Sequence, residues 1–422
     1  MPPDTDKGMR FAAALSAFEH PGFAAEQVSA QLLDSLGPEP DLLFLFISGP
    51  MIQNAGLIAE IVRRNTRARC LLGTTAAGVI GGATELESRS AVSALAGRLP
   101  GVTLRPLRTR DFSEIREAQG DGPDRFRELA APEGDLAATC VLVDPFSVPL
   151  NALVPALSRA HHDAGGAVLF GGVASGAPNP GGNTMLVDGE AYTEGIVGVA
   201  IAGPVRCDMA VSQGCRPIGS NLVVTRSKGN LILELGGRPA LEVVREAVGG
   251  LTEADRRLLA GGLFLGRVVD EYKDHFGRGD YLIRNVLGAD EQSSAVAVAD
   301  LIPPGRTVRL HLRDAATAHE DLALLLDAQS LHGPPEGALL VTCNGRGERF
   351  FGKQNHDAVA IQRAFMPAPA GPESAKPGRS IGPADHSVPL AGFFAAGEIG
   401  PIGRESFLHG YTACLACFRP RE

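Results

Sequence analysis

One layout is written three times in this chain of 422 residues, and it limits the available folds more than any single motif does. In the first copy "DLLFLFIS" (41–48) is a continuous apolar run, the pattern of a strand buried on both faces. An amphipathic stretch over 53–66 follows, with Ile58, Ile61 and Val62 on one helical face. Then "CLLGTTAAGVIGG" (70–82) reads as a strand running into a glycine loop, and "SAVSALAG" (90–97) as a strand of small residues. The second copy runs "CVLVDPFS" (140–147), a helix over 150–162, "AVLFGGVASGAPNPGG" (167–182) and "EGIVGVAIAG" (194–203). The third is "GALLVTCNGRG" (337–347), "HDAVAIQRAF" (356–365), "LAGFFAAGEIG" (390–400) and "HGYTACLACF" (409–418).

Leu71–Val79 aligns without a gap on Leu169–Ala177 at four of nine positions, and Phe394–Gly400 repeats the spacing of Phe170–Gly176. The shared order of elements is the stronger argument. Only the third copy adds an acid, Glu398, to its glycine segment. This order predicts an α/β (α+β) protein: two domains of mixed sheets flanked by helices, built from repeated strand–helix–strand–glycine-loop–strand units. The grammar changes between the second and third copies. "NLVVTRSKGNLILEL" (221–235) reads as a hairpin about Ser-Lys-Gly-Asn, and "RPALEVVREAVGG" as a helix opened by Pro239 and stopped by Gly249–Gly250. We therefore expect an N-terminal segment with the first strand over 1–24, one domain over 25–217 and a second over 218–422. Residues 367–389 carry six prolines and should be a mobile insertion.

The net charge of −9, without a basic block, argues against nucleic acid as a partner. No run of eighteen apolar residues offers a membrane span. Seven scattered cysteines in a chain of this size read as reduced thiols, which points to the cytoplasm. The bias of 34 Arg to 5 Lys fits a GC-rich bacterial genome. None of the glycine segments opens a helix as a nucleotide loop must, so no cofactor is expected. Cys414 and Cys417 form a Cys-x-x-Cys, but three residues apart on a strand they face opposite ways, so no metal site is expected. His161 falls at a helix end, where an imidazole complements the dipole. Asp144, before Pro145, is a turn former or a site acid. Cys343 sits where a strand runs into a glycine loop, with Arg346 and His409 as candidates to activate it. The densest convergence expected at one sheet edge is Asn344, Arg346, Glu398 and His409; there Arg346 and Glu398 either pair with each other or meet a ligand.

"YLIRNVLG" (281–288), "TCNGRG" (342–347), "FFG" (350–352), "GFFAAGEIGP" (392–401) and "LHGYT" (408–412) together resemble the FIST C-terminal domain. "LLGTTAAGVIGG" and "LFGGVASG" resemble segments of the FIST N-terminal domain, FIST standing for F-box and intracellular signal transduction. The resemblance implies a sensory module for small ligands such as amino acids, with no established catalytic residues. Its pattern falls on Arg284, Asn285, Arg346, Gly397, Glu398 and His409, to which position adds Asn344; these are the expected ligand-binding residues. The first strand begins by about residue 10, leaving no room for an F-box, so a stand-alone bacterial form acting through a separate signalling protein is expected. Two alternatives stay open. One is an enzyme acting on a small carboxylate or amide through Cys343 or Glu398/His409, the less favoured reading. The other is a ligand-free interaction scaffold.

Overall fold

The computed structural model describes residues 8–112, 135–163, 167–366 and 388–421, and the chain divides into two compact units. The first comprises residues 1–211, 323–408 and 412–422; the second comprises 212–322 with 409–411. The expected boundary near 217 lies close to the start of the second unit, but the chain returns to the first unit after Leu322. The proposed insertion lies almost wholly outside the described residues; of its last two, Val388 accepts at O from the Gln362 amide at 2.8 Å and Pro389 O accepts from Ala338 N at 2.8 Å.

The first repeat comprises β1 (Arg10–Ser16), α1 (Pro21–Leu36), β2 (Leu42–Ser48), α2 (Ala55–Thr66), β3 (Cys70–Ala76), the hairpin β4 (Gly78–Gly81) and β5 (Thr84–Glu87), and β6 (Ala91–Arg98). The second comprises β7 (Thr103–Leu107), β8 (Leu136–Val143), α3 (Leu150–Asp163), β9 (Val168–Val173), the hairpin β10 (Met185–Val187) and β11 (Glu190–Tyr192), and β12 (Ile196–Ala202). The third opens with β13 (Val205–Gln213). After the second unit it continues through α6 (Ala315–Ser330), β21 (Gly337–Cys343), α7 (Glu348–Phe351), α8 (His356–Ala364) and β22 (Leu390–Ala395). It closes with the hairpin β23 (Glu398–Ile402) and β24 (Glu405–His409), then β25 (Thr412–Pro420).

The three sheets of the first unit have one strand order: β1-β6-β2-β3-β10-β11, β7-β12-β8-β9-β23-β24 and β13-β25-β21-β22-β4-β5. In each, a repeat supplies four strands and another repeat's hairpin supplies the last two. The repeated units are thus real, and the glycine segments of the first and third copies are hairpins given to a neighbouring sheet. The glycines answer close backbone approach. A Cβ on Gly73 would lie 2.4 Å from Leu45 O, on Gly171 1.9 Å from Val141 O, and on Gly392 1.9 Å from Leu340 O. By this contact Gly73 and Gly171 correspond as the ungapped alignment has them. Gly392 corresponds to Gly171, so the third copy is three residues out of step with the letter match of Phe394 to Phe170.

Strand β2 shows how packing follows from the pattern. Its residues Leu43, Leu45 and Ile47 pack with Ala24, Val28 and Leu32 of α1 and Ile58 and Val62 of α2. The alternate residues Leu42, Phe44 and Phe46 enter a core shared by all three repeats. There Phe46 stacks on Phe393 with centroids 4.7 Å apart, and Phe418 meets Phe11 at 5.2 Å and Phe44 and Phe170 at 6.2 Å each. The Ser175 hydroxyl joins the repeats polarly, accepting from Ala77 N at 2.9 Å and donating to Phe394 O at 2.5 Å.

The second unit is an antiparallel barrel of β14 (Cys215–Lys228), β15 (Leu231–Leu235), β17 (Leu263–Val268), β18 (Tyr281–Asp290), β19 (Ala295–Val298) and β20 (Thr307–Arg313). The pairing of β14 with β15 closes it, and the two-residue β16 (Arg238–Pro239) adds to β15. Helix α4 (Ala240–Gly249) packs Leu241 and Val244 against Leu265, Val296 and Leu310, and the short α5 (Glu253–Leu259) follows, capped by Thr252. Among the described residues no helix is long and apolar enough to cross a membrane.

Gly392→Ala should destabilise the protein by about 3 kcal/mol or more in urea titration, because its Cβ would meet a backbone carbonyl that cannot yield. Gly56→Ala, in α2 with nothing within 4 Å, should instead stabilise by about 0.5–1 kcal/mol. Equal effects at both positions would show that glycine serves no close packing in β22.

Candidate functional site

The carboxyl ends of the parallel pair β21 and β22 gather most of the predicted residues of the first unit. Cys343, half-buried, is the last residue of β21. Asn344 N donates to Ala395 O at 2.9 Å, which ties the Cys343–Gly347 turn to the end of β22. The Asn344 amide, with its nitrogen toward that carbonyl, donates to Ala395 O at 3.0 Å and Phe394 O at 3.1 Å. Gly397 O accepts from Val173 N at 2.9 Å, and Glu398 opens β23 opposite Gly172.

Arg346 is fully buried, and its Nε donates to Asp357 Oδ2 at 2.7 Å while Nη2 reaches Oδ1 at 3.4 Å. Asp357 is also met by His356 Nδ1 at 2.8 Å and by the Thr342 hydroxyl at 3.3 Å. Burial raises this carboxyl's pKa, but the Arg346 charge and the His356 and Arg346 hydrogen bonds outweigh it and hold Asp357 below the usual carboxylate range. The guanidinium lies 5.3 Å from the Phe351 ring centroid, and Phe351 stacks on His356 at 3.4 Å. Glu398, also fully buried, accepts at Oε2 from Thr412 Oγ1 at 2.6 Å and Thr412 N at 3.1 Å. His409 is buried at the end of β24.

The borrowed hairpin β4–β5 adds a residue that sequence reading missed. Glu85 accepts at Oε1 from Ala358 N at 2.8 Å, and its own N donates to Asn355 Oδ1 at 2.7 Å, so it fastens the start of α8. Among the described residues its Oε2 is buried without a hydrogen-bond partner. Burial first, and then the Asp357 charge, push the Glu85 carboxyl up to about 8, so it holds its proton at neutral pH. Next to it, Glu87 Oε1 accepts from Glu348 N at 2.7 Å and caps α7; a Cβ on Gly347 would strike that carboxylate. His356 and Asp357, adjacent at a helix start, were a readable signal. Glu85 was not, because it lies more than 270 residues away in another repeat.

Arg284 and Asn285 belong to the second unit and have their own partners there. Arg284 Nε donates to Asp300 Oδ2 at 3.3 Å, shared with Arg267 at 3.2 Å, and burial lowers the Arg284 pKa. Asn285 Oδ1 accepts from the Tyr411 hydroxyl at 2.9 Å. Asp144 is a turn former: Oδ2 accepts from Phe146 N, Ser147 N and the Ser147 hydroxyl at 3.1, 2.9 and 2.7 Å. His161 does not act through charge. Burial pushes its pKa down to about 4, and Nδ1 bonds the Leu157 carbonyl at 2.6 Å inside the last turn of α3. Cys414 and Cys417 are buried strand residues; burial pushes the Cys414 thiol well up and Cys417 up to about 12. Among the described residues no group of three or more His, Cys, Asp or Glu could hold a metal ion.

Glu85 sets a pH dependence. The folded chain keeps this proton up to about pH 8, whereas the unfolded chain loses it near 4.5. Its stabilising contribution is therefore full below pH 4.5 and is lost as pH rises through about 8. Glu85→Gln copies the protonated acid. It should match the parent in acid and exceed it at pH 8 by on the order of 4 kcal/mol in urea titrations. Parallel stability–pH curves for the two proteins would mean that Glu85 is already ionised in the fold.

Two family descriptions cover most of the chain: the FIST N domain matches residues 41–238 and the FIST C domain residues 240–401. An uncharacterised protein of Mycobacterium tuberculosis is 36% identical over 414 residues, covering 97% of this chain and 100% of its own. An uncharacterised protein of Mycobacterium bovis is 37% identical over 401 residues, covering 94% of this chain and 95% of its own. Among solved structures, a cyanuric acid hydrolase from A. caulinodans aligns over 98% of this chain and 100% of its own, with 10% identity and a TM-score of 0.32. That likeness is too loose to bear on fold or chemistry. On the two domain matches and the full-length relatives, the chain belongs to the FIST family, whose domains are sensory and signal-transduction modules.

Proposed function

We propose that this FIST protein is a cytoplasmic sensor of a small ionic ligand, an amino acid or small carboxylate, acting through a separate signalling protein. The observation that carries the reading is the complete burial of Arg346 and Glu398 at the carboxyl ends of β21 and β22. Burying charge is costly, and apolar residues of similar volume would hold a fold as well or better. Strand ends of this kind are where α/β sheets place ligands. Asn344 and Gly397 belong to the same site on this reading, and Arg284, Asn285 and His409, which fall in the second unit, are proposed ligand-binding residues there. Glu398 receives an ammonium group, and a ligand carboxylate shares the Arg346 guanidinium with Asp357, which already holds its Nε and Nη2.

A thermal-shift screen against amino acids and small carboxylates tests this. A ligand present at about 100 times its Kd should stabilise the parent by about 2.7 kcal/mol. Glu398→Gln keeps an acceptor for Thr412 and removes the charge, so it should abolish that response while the unliganded protein melts nearly as before. A variant that loses unliganded stability yet still responds to ligand would sink the binding role of Glu398.

The half-buried thiol of Cys343 supports a second reading, an enzyme acting on a small carboxylate or amide. Its test is alkylation. A catalytic Cys343 should react with iodoacetamide at neutral pH at least about tenfold faster than free cysteine, and Cys343→Ser should remove that fast phase. A rate at or below that of free cysteine rules this reading out.

A further inference from the structure

We propose that the second unit carries a binding site of its own: an open groove of about 590 Å³ between β14 and helices α4 and α5, which takes an apolar monocarboxylate. Neither the family matches nor the residues predicted from sequence point to it. Its volume falls in the range of small-molecule sites.

The groove exists because β14 leaves the barrel wall. Its pairing with β20 runs as far as Ile218↔Leu310 and resumes at Leu222↔Val308, so residues 219–221 oppose a single residue of the partner strand. Gly219, at φ +60°, makes the turn-out possible. The bulge is fastened rather than frayed: Arg309 donates from Nη2 to Gly219 O at 2.6 Å and from Nε to Ile218 O at 3.4 Å. Core side chains therefore form the floor. Ile218, Val243, Leu251 and Leu310 are 6%, 8%, 9% and 2% exposed and all line the groove.

The rim is charged, and its two arginines differ. Arg216 is committed, with Nε on Asp314 at 3.2 Å and Nη2 on Asp255. Arg238 meets Glu246 through Nη2 at 2.8 Å, a pair whose side chains are 55% and 69% exposed. An exposed pair of this kind is weak in water and is readily exchanged. The remaining donors of the Arg238 fork suit a planar carboxylate. The two acids of the rim are both engaged by arginine, Asp255 by Arg216 and Glu246 by Arg238, so an amine must displace a guanidinium, whereas Arg238 keeps donors to spare. The floor selects an apolar body and Arg238 selects a carboxylate head.

Calorimetry on the full chain with octanoate, octanol and octylamine tests this. Octanoate should bind saturably, and octanol and octylamine at least about tenfold more weakly. Arg238→Gln should bring octanoate down to the level of octanol. Ser220→Trp, on the exposed bulge, should weaken both by about tenfold or more without changing the melting temperature. Glu398→Gln, in the first unit, should leave octanoate binding unchanged, which separates this site from the one proposed above. The proposal is overturned by no saturable octanoate binding up to about 10 mM, by octylamine binding more tightly than octanoate, by full binding in Ser220→Trp, or by loss in Glu398→Gln.

Discussion

An edge strand presents a row of unpaired N–H and C=O groups, and the first unit is organised around covering three such edges. Strands β3, β9 and β22 each end the part of a sheet that their own repeat builds. Each is covered by a hairpin from elsewhere: β10 pairs with β3, β23 with β9 and β4 with β22. The loan runs in a closed cycle, so no repeat completes its sheet alone. The sheets so joined share one aromatic core, into which β2, β9 and β22 carry Phe44, Phe170 and Phe393. Glycine is required at Gly73, Gly171 and Gly392 because each lies against the carbonyl of the parallel neighbour in its own repeat.

Much of this was legible. The apolar runs at 42–48, 140–143 and 337–343 are strands, with 144–147 a turn, and the helical faces at 55–66, 150–163 and 356–364 fall where the periodicity puts them. Element order revealed the threefold repeat because it depends on local patterning. Hairpin exchange was not legible, since no local signal tells a strand which of three similar sheets to join. The same limit hid Glu85. An acid in "TELE" reads as a solvent-facing residue of a short strand, and only the exchange brings it onto the start of α8. Asp357, the partner that Arg346 finds in its own repeat, was within reach of sequence reading, but a distant glutamate drew attention first. The third-copy alignment failed by three residues because small residues match by chance, whereas the contact of a glycine with a carbonyl does not.

The electrostatics of the first unit concentrate in the third repeat. Arg346, Asp357, His356, Thr342 and Glu85 form one hydrogen-bonded region around the start of α8. Two carboxyls there are pushed in opposite directions, Asp357 down by Arg346 and Glu85 up by burial and by Asp357 itself. The same helix start is thus fastened by an ion pair from its own repeat and by a protonated acid from another. The second unit differs in kind: a closed antiparallel barrel whose arginines Arg216, Arg238 and Arg284 all meet carboxylates at its surface or just beneath it.

The cyclic exchange also sets a timetable for a chain growing on a ribosome. Hairpin β4–β5 is complete by Glu87, but its partner β22 is not made until Leu390. At elongation rates of about 5–20 residues per second, that apolar hairpin waits roughly 15–60 s for its edge. Throughout that interval the outer edge of β4, whose Val79 and Ile80 are fully buried in the finished protein, lacks its native partner strand. A FIST chain of this design is therefore exposed to misassembly during synthesis rather than after it, and the newborn N-terminal repeat is the segment most in need of a chaperone.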